Sequence, residues 1–453
     1  MQRNAPETLL LDAAERGIRY LESLDTREVY PLAASIERLS AALEGPLPEQ
    51  GAEAAEVLSF IDTLGSPATV ACAGGRYFGF VTGGALPATV AANWLAGAWD
   101  QNCFNFVSSP AVALFEEAAL RWLKEALHLP PSAEGTLVTG ATMANFTCLA
   151  AARHEVLRRV GWDVESRGLF GAPEISVIVG DEVHASILKV LAMLGLGRDR
   201  IRRVPVDRQG RMRADLMPDV VGPTIVCIQA GNVASGAFDP AREIIARVEG
   251  NAWVHVDGAF GLWARASARL AGLAEGFEAA DSWTTDAHKW LNVPYDSGVA
   301  LVRKPEALRG AVSTSAAYLL LGTERNAIDV SPDNSRRARG IEVWAALKSL
   351  GRVGLAELIE RNCAQAHWLA AELERAGCEV LNEVALNQVV VSFGDDARTA
   401  RTIEALQRSG ECWCGGTTWQ GRHAMRISIS SWATTQADLE RTLAAIVAAR
   451  ASA

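Results

Sequence analysis

Lysine is scarce in this chain. Of its 43 basic residues, five are lysines: Lys124, Lys189, Lys289, Lys304 and Lys348. Lys289 stands in SWTTDAHKWLN, between His288 and Trp290, just after a short strand-like run. A lysine amine becomes a Schiff-base nucleophile when desolvation or neighbouring charge lowers its pKa. A solvated surface lysine is the plain alternative, and the apolar neighbours weigh against it. Upstream, WVHVDGAFG closes an apolar run on Asp257. A carboxylate at a buried strand end needs a partner. A protonated ring nitrogen would serve, since an opposite charge within about 4–6 Å favours the charged form by about 1–3 pKa units. A helix cap or a structural ion pair would serve as well. In DEVHASILKVLAMLG, His184 follows the strand-like ISVIVGD at the mouth of a helix, placed to stack on a planar ring or to cap that helix. In TLVTGATMANFTCLAAAR a strand ends at Thr139 and a helix begins near Thr142, with Gly140 and Ala141 between them. Free N–H groups and the positive end of the dipole make a helix start ready for phosphate. A strand–turn–helix joint with a threonine cap explains the same letters. The segment lacks the GK[ST] ending of a triphosphate-binding P-loop.

Each of these residues falls where a strand gives way to a turn. From 135 to 303, short β-branched runs (TLVT, ISVIVG, IRRVPV, TIVCIQA, WVHVD, SGVALVR) alternate with helical patterns that start near Thr142, Ala185 and Pro240. Such alternation predicts an α/β fold with a mainly parallel sheet and helices on both faces. Ligands of such sheets bind at the carboxyl ends of the strands. Before this region, residues 1–65 read as a helical arm, and two long helical patterns follow the Gly/Pro-punctuated stretch 65–87. After it, a loop-rich stretch (312–338) leads to a long helix from Gly340, with ALNQVVVSF and AMRISIS as later strands. The expected division is an arm at 1–65, a large α/β domain at 66–305 and a small α+β domain at 306–453.

A lysine for an aldehyde, an acid for a pyridine nitrogen and a helix end for a phosphate are together what pyridoxal phosphate (PLP) requires of a protein. The order TGATMAN, DEVHAS, HVDGAFG, DAHKW resembles the PLP-dependent group II amino-acid decarboxylases, the family of the aromatic-amino-acid and glutamate decarboxylases, from about Tyr77 to the C-terminus. The resemblance implies the fold of the PLP-dependent transferases (aspartate aminotransferase-like, fold type I). It implies that Lys289 forms the internal aldimine, that Asp257 binds the pyridine nitrogen with Ala259 against the ring, and that His184 stacks on the other face. It gives the phosphate to Ala141, Thr142 and His288, with Asp286 nearby. Tyr318 resembles the mobile-loop tyrosine thought to return a proton after CO2 leaves; relatives with phenylalanine there tend toward aldehyde synthesis. NSRRARGIEVW resembles the stretch that reaches the neighbouring subunit's phosphate, with Ser335 at the contact, and implies an obligate homodimer. The stretches around Tyr77, Phe78 and Phe80 and around Trp99, Gln101, Asn102 and Phe104 would line the substrate side-chain pocket. Its aromatics suit an aromatic substrate, whereas its amides suit a polar or acidic one; aromatic is favoured slightly.

Two departures bear on tuning. Relatives commonly have Glu where Met143 stands, and often a Thr-Thr pair where Asn232 and Val233 stand. An aminotransferase or another PLP lyase could use the same lysine and aspartate. A metal hydrolase built on His255, Asp257, Asp286 and His288 is a weaker rival.

Bulk properties narrow the class. With 49% hydrophobic and 21% charged residues, the 453-residue chain has an ordinary globular composition. A net charge of −10 and a pI near 5.4 favour neither nucleic acid nor an anionic membrane as partner. No stretch approaches the roughly 20 apolar residues of a membrane helix, and the acidic, charge-broken N-terminus reads as no export signal. The eight cysteines are scattered, without zinc spacing, and are expected to be buried free thiols in a cytoplasmic protein.

Overall fold

The structure is a computed structural model that describes residues 6–248, 250–313 and 324–453. Helices α1 (Pro6–Glu22), α2 (Ala33–Leu43) and α3 (Ala54–Phe60) lead, followed by α4 (Pro87–Trp99) and α5 (Pro110–Ala126). The last two each open on a proline, whose missing N–H is harmless in a first turn. The α/β region runs β1 (Glu134–Val138), α6 (Ala141–Arg158), α7 (Val164–Arg167), β2 (Ser176–Gly180), α8 (Ala185–Met193), β3 (Arg202–Val204), β4 (Thr224–Gln229), α9 (Ala241–Val248), β5 (Trp253–Asp257), β6 (Ser282–Asp286), β7 (Gly298–Val302) and α10 (Pro305–Val312). It is followed by α11 (Gly340–Arg375), β8 (Glu379–Val380), β9 (Gln388–Ser392), α12 (Asp396–Arg408), β10 (Gly415–Trp419), β11 (Arg422–Ser428) and α13 (Gln436–Ser452).

The large sheet has the order β1-β7-β6-β5-β4-β2-β3. Strands β3, β2, β4, β5 and β6 pair in parallel, while β7 runs against both β6 and β1. The sheet is therefore mainly parallel, as the alternation predicts, with a reversal at one side that sequence periodicity does not encode. Every residue of β4 and β5 is buried, as a sheet covered on both faces requires. Alternate side chains feed two cores. Ile225 and Cys227 join the core that contains α6 and α8, whereas Val226 and Ile228 join the core on the opposite face. The small sheet, β10-β11-β9-β8, is antiparallel throughout. Its strands β9 and β11 match the two expected; β10 and the two-residue β8 were not expected.

A buried ion pair ties α5 to the chain that enters α11. Glu116 accepts from Arg336 Nη1 and Nη2 at 3.0 and 2.8 Å, and Arg336 also bonds the Leu137 carbonyl. Burial alone would push the Glu116 carboxyl up, but Arg336 and Arg325 outweigh it and hold the pKa below its ordinary value. A depressed carboxyl pKa stabilises the fold above the unfolded value and loses that contribution as pH falls through the folded value. Glu116→Ala strands a buried guanidinium, so urea unfolding at neutral pH is expected to show a loss of about 3–5 kcal/mol. A loss under about 1 kcal/mol would contradict this reading of the pair.

Candidate active site

The carboxyl ends of β4, β5 and β6 and the starts of α6 and α8 enclose a cavity of about 340 Å³. Ala141, Thr142, His184, Asp257, Ala259, Asp286, His288 and Lys289 all line it. Residues separated by more than a hundred positions in sequence thus meet at strand ends.

One wall is the start of α6. The first intrahelical bond runs from Ala144 N–H to the Gly140 carbonyl, so the N–H groups of Ala141, Thr142 and Met143 precede the helical ladder and have no acceptor within it. Gly140 is needed for close approach. A Cβ on it would come within 3.2 Å of His288 Cε1, and one on Gly298 would lie 2.5 Å from Gly140 Cα. A side chain at Gly298 therefore has no room beside the turn, and one at Gly140 would press on the imidazole.

Asp257 ends β5 and is 6% exposed. Its Oδ2 accepts from Asn145 Nδ2 at 3.2 Å, and its Oδ1 accepts from the Ala259 N–H at 3.3 Å. Both partners are neutral, so the negative charge is not matched by a cation among these bonds. His184 fills one of the two roles its sequence allowed and stands where the other would be played. It caps α8, its Nδ1 accepting from the Ser186 N–H at 3.2 Å, and its ring lines the cavity. Desolvation lowers its pKa, with Asp257 opposing, so it is a neutral imidazole with the proton on Nε2.

Lys289 Nζ lies 3.0 Å from Asp286 Oδ2. Asp286 is 2% exposed, and its other oxygen, Oδ1, is buried without a hydrogen-bond partner. His288 Nδ1 accepts from the Ser297 N–H at 3.0 Å, which places the ring proton on Nε2, 3.6 Å from Asp286 Oδ2. Burial lowers the His288 pKa, with Asp286 opposing. Tyr295 stacks on this imidazole with centroids 4.3 Å apart, and its hydroxyl lies 3.4 Å from Thr82 Oγ1.

Other expected site residues lie elsewhere. Phe80, Asn102, Phe104 and Ser335 are not in the cavity wall. Phe80 is 62% exposed and rests against Trp413. Asn102 accepts the Arg336 N–H, the Phe104 carbonyl accepts the Ile328 N–H, and Ser335 is exposed. Phe80 precedes α4, Asn102 and Phe104 follow it, and Ser335 precedes α11. Tyr318 lies outside the described residues. The departures at Asn232 and Val233 separate. Val233 lines the cavity, whereas Asn232 turns back to cap its own loop, accepting from the N–H groups of Ala234 and Ser235.

Sequence reasoning missed several groups. Gln229 and Ser186 line the cavity at the end of β4 and the start of α8, and Phe260 follows Ala259. Arg426 on β11 donates to the Val233 carbonyl at 3.2 Å, and burial lowers its pKa. Its signal was legible: an arginine inside the otherwise apolar strand AMRISIS. For the metal alternative, both His255 nitrogens are engaged, by Ser282 Oγ and Asn145 Oδ1, each at 2.9 Å. Among the described residues no group of three His, Cys, Asp or Glu side chains is placed to hold a metal ion.

The donor set fits PLP. The open start of α6 suits a phosphate. Asp257 presents a buried carboxylate with no cationic hydrogen-bond partner to a ring nitrogen, and Lys289 offers an amine within the same cavity. The orphaned Asp286 Oδ1 marks a polar atom that awaits a partner.

Comparison with known proteins agrees. Residues 58–393 match the pyridoxal-dependent decarboxylase conserved domain. The chain is 32% identical over 391 residues to the L-2,4-diaminobutyrate decarboxylase of Rhizobium meliloti, covering 80% of this chain and 75% of that protein. It is 27% identical over 344 residues to the aromatic-L-amino-acid decarboxylase of Bacillus atrophaeus, covering 73% and 69%. Among solved structures, that of Oryza sativa TDC with PLP and tryptamine superposes with a TM-score of 0.90 at 23% identity, covering 100% of this chain and 99% of that one. The chain belongs to the pyridoxal-dependent decarboxylase family and is a PLP-dependent carboxy-lyase. These relatives do not favour the aminotransferase alternative.

Proposed function

We propose that this carboxy-lyase converts an L-amino acid to its amine and CO2 at the Lys289 cavity, with aromatic substrates favoured over acidic ones. The observation that carries the reading is the convergence of Lys289, Asp257 and the open start of α6 in one cavity. When bound, the cofactor supplies an aldehyde for the substrate amine and a sink for the electrons left as CO2 departs.

The chain's own residues divide the remaining work. The N–H groups at Ala141 and Thr142 would hold the phosphate, with His288 and Asp286 beside them. Asp257, Ala259 and His184 would hold the ring, Asp257 keeping its nitrogen protonated. Lys289 would hold the cofactor through its aldehyde, and Asp286, 3.0 Å from the Lys289 Nζ, would position that nitrogen. Arg426, which donates to the carbonyl of the cavity-lining Val233, would offer its remaining donors to the substrate carboxylate. Tyr318 returns the proton to Cα. In air, Tyr318→Phe is accordingly expected to shift product from amine toward aldehyde, with O2 as the oxidant and ammonia and hydrogen peroxide released, read by chromatography of both. An unchanged ratio would remove Tyr318 from the proton step.

We further propose a homodimer. Trp94, Leu95 and Trp99 on α4 are 46%, 56% and 42% exposed, and Leu10, Leu11 and Phe60 of the leading helices are exposed too. Pairing across this surface would bring Phe80, Asn102, Phe104 and Ser335 toward the partner's cavity, as substrate-pocket and phosphate contacts respectively. All eight cysteines are free thiols, which fits a reducing compartment, and we place the enzyme in the cytoplasm on that ground. Among the described residues no helix is long and apolar enough to cross a membrane.

The substrate assignment is tested by kcat/KM across L-tryptophan, L-tyrosine, L-phenylalanine, L-glutamate, L-aspartate and L-2,4-diaminobutyrate. The aromatic acids are expected to rank first. An acidic or diamino acid at the top would contradict the preference.

A further inference from the structure

Behind Asp257, away from the cavity, lies a chain of buried polar groups that the chemistry above does not use. Asn145 on α6 donates from Nδ2 to Asp257 Oδ2 at 3.2 Å. Its Oδ1 meets His255 Nε2 at 2.9 Å, and His255 Nδ1 meets Ser282 Oγ at 2.9 Å. Trp253 Nε1 donates to the same Ser282 oxygen at 2.8 Å. Asn145, Trp253, His255 and Ser282 are all 0% exposed.

The direction of every bond follows from the carboxylate at the end. An ionised carboxylate only accepts, so the amide must turn its NH2 toward Asp257. The amide oxygen then faces His255, which must donate from Nε2. With the proton on Nε2, Nδ1 is an acceptor and takes the Ser282 hydroxyl proton. The Ser282 oxygen keeps a lone pair for the indole N–H. Burial drives the His255 pKa down to about 3, so the ring holds a single proton and one tautomer satisfies the whole chain. Any other arrangement leaves a buried donor or acceptor unpaired, at about 1–3 kcal/mol each.

We propose that His255 is a positioning residue: through Asn145 it fixes the orientation of the Asp257 carboxylate toward the ring nitrogen of the cofactor. This rests on the PLP site proposed above. His255 is two residues before Asp257 on β5, so one strand carries both the carboxylate and the group that locks it. Without the Nε2–H donor the Asn145 oxygen loses its buried partner, and the amide that holds the Asp257 oxygen is anchored from one side only.

The test uses the full-length protein, with PLP affinity of the apoprotein measured by equilibrium dialysis and the visible band of the holoprotein recorded alongside. His255→Leu is expected to weaken PLP binding by about 10-fold or more, the scale of one hydrogen bond to a charged group. It is also expected to change the visible band and to lower kcat more than it raises KM. His255→Gln, whose amide can put an N–H near the Nε2 position, is expected to recover most of each. Asn145→Ala is expected to reproduce the His255→Leu values, and the double variant to be no worse than either single, because both act on one bond. Should His255→Leu fail to fold, Asn145→Ala and His255→Gln carry the test. Wild-type affinity and spectrum in both His255→Leu and Asn145→Ala, or in Asn145→Ala alone if the leucine variant is lost, would overturn the proposal. So would additive effects. A wild-type protein that binds no PLP would instead sink the site reading itself.

Discussion

Lys289→Ala is expected to purify without covalently attached cofactor and to lose decarboxylation by roughly 10⁴-fold or more, the scale on which removing a covalent group acts. The reasoning is geometric. Lys289 lies within the cavity lined by the open start of α6 and by Asp257, with a carboxylate 3.0 Å away to balance its charge. The other four lysines, Lys124, Lys189, Lys304 and Lys348, do not line that cavity. PLP should still enter the variant through its phosphate and ring contacts, so binding and covalent attachment separate. Borohydride reduction followed by peptide mass spectrometry reads the attachment directly. Labelled peptide from wild type that maps away from Lys289 would contradict the assignment.

Asp257→Ala is expected to lower kcat by about 10²–10³-fold, as for loss of one preorganised charge at a reacting centre, with a much smaller change in KM. The carboxylate carries its charge between two neutral donors, the Asn145 amide and the Ala259 N–H. Nothing in that pair neutralises it, so its charge is available to hold a proton on the ring nitrogen. The alanine variant should also show an altered visible band. Near-normal turnover would mean that Asp257 serves the fold alone.

How much of this was legible beforehand differs by element. The strands of the large sheet were readable because parallel strands buried on both faces are continuous apolar runs, as TIVCIQ and WVHVD are. The turn at Gly140 and the strand end at Asp257 followed from them, whereas Asp286, at the end of the less apolar SWTTD, was named from the resemblance. The reversed direction of β7 was not readable, since GVALV has the same composition in either direction. Strand β10 was missed because its Gly415-Gly416 start and half-exposed threonines carry no apolar period. The partnership of Asn145 with His255 was hidden for another reason. Each sits in an element whose pattern looks like plain core, and only their meeting, across 110 positions of sequence, gives them a role. The substrate-pocket residues posed the opposite problem. Phe80, Asn102 and Phe104 were named from resemblance, and one chain alone leaves them outside the cavity wall.

The central claim is that this cavity releases CO2 from an amino acid with PLP held at Lys289. The most direct measurement incubates the PLP-loaded protein with carboxyl-labelled L-amino acids and counts trapped CO2 against amine formed, while following the visible band. The account predicts a coloured protein that releases CO2 and amine in equal amounts from at least one of them, with Lys289→Ala inactive. A coloured protein that releases no CO2 but exchanges amino groups with a keto acid, or one that PLP does not colour at all, would contradict it.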